Sequence, residues 1–87
     1  MFRLNERVAG IYIIIGIRVR KTKANAGFIT ATLMQGSLRI PCVIWNDTAI
    51  SADTMDGSFV YVNGMVTEYR NELQLNLDYI IALPINS

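Results

Sequence analysis

The sequence predicts an all-β chain whose five strands close into a small barrel, and three observations carry that expectation. Isoleucine, valine and threonine number twelve, six and six, so β-branched side chains make up 24 of 87 residues, and these favour pleated backbone over helix. Apolar and polar residues alternate with period two in successive segments, the signature of strands with one buried face. Clusters of Gly, Asn, Asp and Ser punctuate the segments at spacings that suit tight connections.

The first strand is expected from about Gly10 to Lys21, apolar on both faces and then basic at its far end. Ala24 to Gly27 reads as a turn. In the second strand, Phe28 to Met34, Ile29, Ala31 and Leu33 share one face and Phe28, Thr30 and Thr32 the other. Gln35-Gly36-Ser37 makes a hairpin connection. The third strand, Leu38 to Trp45, turns Leu38, Ile40, Cys42 and Ile44 inward and Arg39, Pro41, Val43 and Trp45 outward. Asn46 to Gly57 interrupts the pattern with a loop or a short helix, whose Ile50 and Met55 are suited to plug one end of a barrel. The fourth strand, Phe59 to Val66, has Val60, Val62 and Val66 inward and Phe59, Tyr61 and Met65 outward, with Gly64 at an inward position where a tight bend is expected. After a loop from Thr67 to Glu72, the fifth strand runs from Leu73 to about Leu83 with Leu73, Leu75 and Leu77 inward. Five such strands, a bent first one and an interruption after the third fit the five-stranded Greek-key barrel called the OB-fold. An SH3-like barrel fits less well, because it needs no apolar plug after its third strand.

Length and composition set bounds on function. Eighty-seven residues suffice for one domain, residues 1–87 with a core from about 8 to 83, and 52% apolar against 17% charged residues is unlike a disordered tail. The chain has no histidine and one cysteine, which excludes histidine bases, zinc-finger sites and a disulfide framework. Neither a cofactor nor a metal is expected, and no nucleophile can be paired with a base, so the chain reads as a non-enzyme. Val8 to Ile17 after Arg3 and Arg7 imitates a signal peptide, but Arg18, Arg20, Lys21 and Lys23 lie before the small residues Ala24-Asn25-Ala26, where a leader tolerates little positive charge. The stretch is also half the ~20 residues that a spanning helix takes. A cytoplasmic location with no membrane contact is the resulting expectation.

Charge is unevenly spread. Residues 1–45 carry a net +6 and residues 46–87 a net −5, so a fold that separates them has a basic side suited to phosphates. The expectation is that Asp53, Asp56 and Glu72 lie away from the basic arm.

The run Val8, Gly10, Tyr12, Ile14, Val19-Arg20-Lys21-Thr22-Lys23, Gly27, Phe28 and Leu33, then Ile40 and Trp45, resembles the OB domain of the tRNA-anticodon-binding type. So does Gly57-Ser58-Phe59-Val60-Tyr61-Val62-Asn63-Gly64-Met65-Val66-Thr67-Glu68-Tyr69 with Leu73-Gln74-Leu75. The nearest likeness is to the amino-terminal OB domain of bacterial exoribonucleases that join it to an HD-type phosphohydrolase domain. Two departures concern hairpins: Gln35 and Leu38 replace the usual Asp and Gly, and Asn71 stands where a Gly is expected after Tyr69-Arg70. The resemblance implies a nucleic-acid-binding or substrate-presenting module without chemistry of its own, since the HD site of such enzymes needs histidine ligands.

An OB-fold places its groove on the second and third strands, flanked by the loops after strands one and four. The candidate contacts for single-stranded DNA or RNA are therefore Arg18, Arg20, Lys21 and Lys23 on the first arm, Phe28, Arg39 and Trp45 on the two strands, and Tyr69 with Arg70 on the second loop. Cations would track phosphates and aromatic faces would stack bases. Each residue also has a plainer role: Trp45 as barrel-edge packing, Tyr69 as a loop anchor, the basic run as a solvated strand end, and Cys42 as a small core hydrophobe. The alternative to a binder is a module for homo-oligomerisation or for docking a partner catalytic domain through Val43, Phe59, Tyr61 and Met65.

Overall fold

Fifteen residues of extended chain, β1 (Arg7–Lys21), organise the rest of the computed structural model, which describes residues 2–45 and 56–84. Four strands follow: β2 (Gly27–Gln35), β3 (Leu38–Trp45), β4 (Ser58–Tyr69) and β5 (Glu72–Ala82). They close as β1-β2-β3-β5-β4, every neighbouring pair antiparallel except β3 with β5. This is the expected five-stranded barrel, and no helix occurs among the described residues. The expected loop or short helix, with Ile50, Met55 and Asp53, lies mostly outside the described residues.

Closure depends on β1 belonging to two pairings. Arg7 to Ile14 pair with β4, and Ile13 to Lys21 pair with β2. Between Ile15↔Thr32 and Arg18↔Thr30 the strand carries one residue too many, so Gly16 and Ile17 together oppose Ala31. Gly16 has φ +66°, a left-handed conformation that glycine takes without a Cβ penalty and that begins a bulge of this kind. The segment entering β4 clamps the bend: the Ile17 amide donates to Asp56 Oδ1 at 2.9 Å and the Gly57 amide to the Ile14 carbonyl at 2.6 Å.

The core is built from the inward face of every strand: Val8, Tyr12 and Ile14, then Ala31 and Leu33, Ile40, Cys42 and Ile44, Val60, Val62 and Val66, and finally Leu75, Leu77 and Ile80. Of the residues expected inward, Ile29 and Leu38 are half-buried and pack against this core. Two expected orientations differ. Val43, expected outward and open, is 4% exposed, because Thr30 on β2 and Asn76 on β5 bracket it in the middle of the sheet. Leu73, expected inward, is exposed; it pairs with the exposed Glu68 where the β4–β5 hairpin projects past the last core layer. Strand limits also shift, since β1 begins at Arg7 and the expected loop from Thr67 to Glu72 shrinks to the two-residue turn Arg70-Asn71. Both turn residues have positive φ, +52° and +67°, the type I′ geometry that matches strand twist.

Gly64 marks a close backbone approach. Asp78 is an extra residue in β5 between the pairs Asn63↔Tyr79 and Gly64↔Leu77, and a Cβ on Gly64 would stand 2.5 Å from the Asn76 carbonyl oxygen and 3.0 Å from Leu77 Cα. Both obstacles at β5 are backbone, so they cannot swing aside. Gly64→Ala should therefore cost about 2 kcal/mol or more in urea unfolding; a neutral substitution would contradict this packing.

Burial pushes the Cys42 thiol up to about 12 from its ordinary 9.0, against a smaller lowering by a backbone hydrogen bond at Ala31. A folded-state value above the unfolded one contributes stability that is complete below the unfolded pKa and is lost as pH climbs toward the folded value. Unfolding free energy should fall between pH ~9 and ~12, and Cys42→Val should lessen that fall. Equal falls in both proteins, followed by urea denaturation across that range, would contradict the assignment.

Candidate nucleic-acid interface

The bulge in β1 decides which side chains face the groove. Before it, Ile13 and Ile15 point outward, paired with Met34 and Thr32; after it, Arg18 and Arg20 point outward, paired with Thr30 and Phe28. Period-two alternation without the extra residue would turn both arginines to the inner side. Instead Arg20 lies over the outer face of β2, its Nε donating to Thr30 Oγ1 at 3.3 Å.

Phe28 and Trp45 are a directly opposed cross-strand pair, with ring centroids 4.9 Å apart and planes tilted by 32°. That spacing is within the range of favourable aromatic contact. Phe28 is half-buried and Trp45 is 46% exposed, so packing fixes the indole while leaving much of it open. Across the groove, the I′ turn presents Tyr69, 58% exposed, with the Arg70 guanidinium carbon 5.2 Å from its ring centroid. A cation over one face of a phenol ring is itself attractive, and it orients the ring.

These parts converge. Arg20, Phe28, Trp45, Tyr69 and Arg70 line one open groove of about 390 Å³, together with Thr30, Val43 and Gln74. Among the described residues, no acidic side chain lines it. Thr30, Val43 and Gln74 were not among the expected groove contacts, Val43 having been assigned instead to the alternative docking surface. Strand parity was the available signal for Thr30 and Val43, which share outward faces with Phe28 and Trp45.

The other candidates stand apart from this lining. Arg18 is outward and exposed two residues before Arg20 on β1, while Lys21 and Lys23 are exposed at the tip of the β1–β2 hairpin. That tip is ordered by hydrogen bonds from the Thr22 amide to the Ala26 carbonyl at 2.9 Å and from the Ala26 amide to Thr22 Oγ1 at 3.2 Å. Arg39 shares the outer face of β3 but pairs with Met34 at the opposite end of the hairpin, six residues and ~20 Å from Trp45.

The chain also matches the family model described as OB-fold nucleic acid binding domain, of the tRNA anticodon type, over residues 13–83. It belongs to that family. Among solved structures, this OB domain is similar to a chain of a replication protein A heterotrimer bound to ssDNA, with a TM-score of 0.74 and 14% identity. The match covers 98% of this chain and 62% of that one, so this domain spans under two thirds of the length of that chain. It is similar as well to the second OB-fold domain of replication protein A from Methanococcus maripaludis, with a TM-score of 0.73 and 16% identity over 97% of this chain and 90% of the other. At such identities the likeness is one of fold. A search of curated proteins yields no match.

The acids are not as remote as expected. Asp56 sits at the bulge beside Arg18, and Glu72 pairs with Tyr69 at the turn that borders the groove. Yet the ion pair found among the described residues is Arg7 with Asp78, so no described acid neutralises the cations of the groove and its arm by contact. Asp56 is held instead by the amide that the bulge frees. Phe28→Ala should remove the packing partner of Trp45 and shift the emission of this single tryptophan to longer wavelength in the folded protein. Unchanged emission would contradict the paired rings.

Proposed function

We propose that this OB domain binds single-stranded DNA or RNA along the outer face of β2 and β3, with little sequence preference. The observation that carries the reading is the convergence of two opposed aromatic platforms, Trp45 on Phe28 and Tyr69 under Arg70, within one groove rimmed by cations and with no acid among its described lining residues. Every base has a π-face, so stacking on such platforms tolerates any sequence, at ~1–3 kcal/mol per base. Arg20 and Arg70 stand at the groove and Lys21, Lys23 and Arg18 extend the positive field along the β1–β2 arm; these groups suit phosphates, whose neutralisation releases counterions. Membership of a nucleic-acid-binding family and the fold of a replication protein bound to ssDNA support the same reading. The sequence resemblance to HD-domain exoribonucleases extends it to presenting a strand to a catalytic domain.

The test is anisotropy of labelled deoxythymidine and uridine oligonucleotides at low and moderate salt. Affinity should fall as salt rises. Lys21→Glu with Lys23→Glu should weaken binding to all sequences and flatten the salt slope, and Arg39→Glu should do so less than Arg20→Glu because of its distance from the groove. Trp45→Ala or Tyr69→Ala should each cost ~1–3 kcal/mol. Absence of binding at low salt would end the proposal.

A further inference from the structure

The side of the barrel remote from the groove has a different chemistry. Counting round the barrel, β4 is two strands from β2 through β1 and two from β3 through β5, so its outer face looks away from the groove. There the register aligns Ile11, Tyr61 and Ile81 in one row across β1, β4 and β5, and Ala9, Asn63 and Tyr79 in the next. Ile11 is 48%, Tyr79 50% and Ile81 47% exposed. Tyr61 meets Tyr79 edge-on, with centroids 6.3 Å apart, which stiffens the surface.

The surface carries almost no charge. No charged residue occurs in 8–17, 58–67 or 79–83, which supply it. At its border Arg7 is bonded to Asp78 and donates to Asn63 Oδ1 at 3.1 Å, so even the rim is compensated. With no cation to meet a phosphate, nucleic acid is not its ligand. The closed pairing of β1, β4 and β5 leaves no strand edge here to be extended, so whatever covers it must pack face to face.

We propose that a second copy of this chain covers it, the two domains packing back to back through their β1–β4–β5 faces with their grooves directed outward. A two-fold interface sets the same patch against itself, and a neutral apolar patch can do so without like-charge repulsion, whereas the cationic groove faces repel one another. Area is sufficient: the half-exposed Ile11, Tyr79 and Ile81 with the partly exposed Ile13, Phe59 and Tyr61 present on the order of 500 Å², the upper scale of an apolar patch on a monomer. Two such patches together reach the roughly 1,000 Å² floor of a biological interface, the size of a weak and reversible one. Beside them Ile11, Ile13, Phe59 and Met34 line a recess of about 140 Å³, into which an apolar side chain of the other copy can seat.

The experiment is sedimentation equilibrium of the full chain at about 100 μM, where a micromolar dissociation constant leaves it mostly paired. The wild type is expected at twice its 9.8 kDa mass. Ile81→Glu and Ile11→Glu, each at an exposed site, are expected to run as folded monomers by circular dichroism with oligonucleotide affinity per chain unchanged. Tyr79→Lys serves as a third variant should either lose its fold. A monomeric wild type at that concentration, a mass of three chains or more, or folded variants that remain paired would overturn the proposal, and none of these outcomes bears on the groove.

Discussion

One extra residue in β1 is the constraint on which the rest of this structure depends. A strand that kept strict alternation through Ile17 would continue the face begun by Ile13 and Ile15, and Arg18 and Arg20 would turn to the inner side, away from the groove; Val19, which takes that side in the bulged strand, is 76% exposed, so the bulge decides direction there rather than burial. Gly16, at φ +66°, absorbs the extra residue, bends the strand and reverses its parity. The same event lets β1 serve β4 with its first half and β2 with its second, and so closes the barrel. Fold closure and the cationic rim of the groove are two results of one backbone irregularity.

The bend also frees a backbone amide, and the answer to that amide is Asp56. A buried or constrained N–H without a partner is costly, and here the carboxylate that satisfies it comes from the residues that lead into β4. That explains why an acid stands beside a basic arm without pairing with it. Gly64 plays the corresponding part at the other corner, where β5 bulges at Asp78 and its backbone crosses too near β4 for any side chain. Two glycines at two bulges set the shape, and the inward Ile, Val and Leu of five strands fill it. The closed form leaves two outer faces of opposite chemistry, one aromatic and cationic, the other apolar and neutral.

Much of this was legible in the sequence because period-two alternation survives in β2, β3 and the middle of β4, so the inward residues Ala31, Leu33, Ile40, Cys42, Ile44, Val60 and Val62 could be read directly. Alternation fails where a bulge changes parity or where a hairpin leaves the barrel. β1 is apolar on both faces and hides its bulge at Gly16; Leu73 keeps the inward rhythm past the point where there is an interior to face. Val43 shows the converse, an outward position buried by its neighbours in a central strand. The groove residues Arg20, Phe28, Trp45, Tyr69 and Arg70 were reachable by combining strand parity with the general layout of an OB barrel. Gln74 was not, since its position depends on the two-residue turn at Arg70-Asn71 and on the parallel pairing of β3 with β5. Arg39 shared the parity of Trp45, and only its register against Met34 shows its distance along the sheet.

The face created by the β1 bulge is the one proposed to meet a nucleic-acid strand. The most direct measurement is titration of isotope-labelled protein with a short deoxythymidine oligonucleotide, following backbone amide and indole chemical shifts residue by residue. Saturable shifts are expected at Arg20, Phe28, Thr30, Trp45 and Tyr69 to Gln74, with Ile11, Tyr61 and Ile81 unmoved. Shifts centred on Ile11, Tyr61 and Ile81, with the Trp45 indole unchanged, would contradict it.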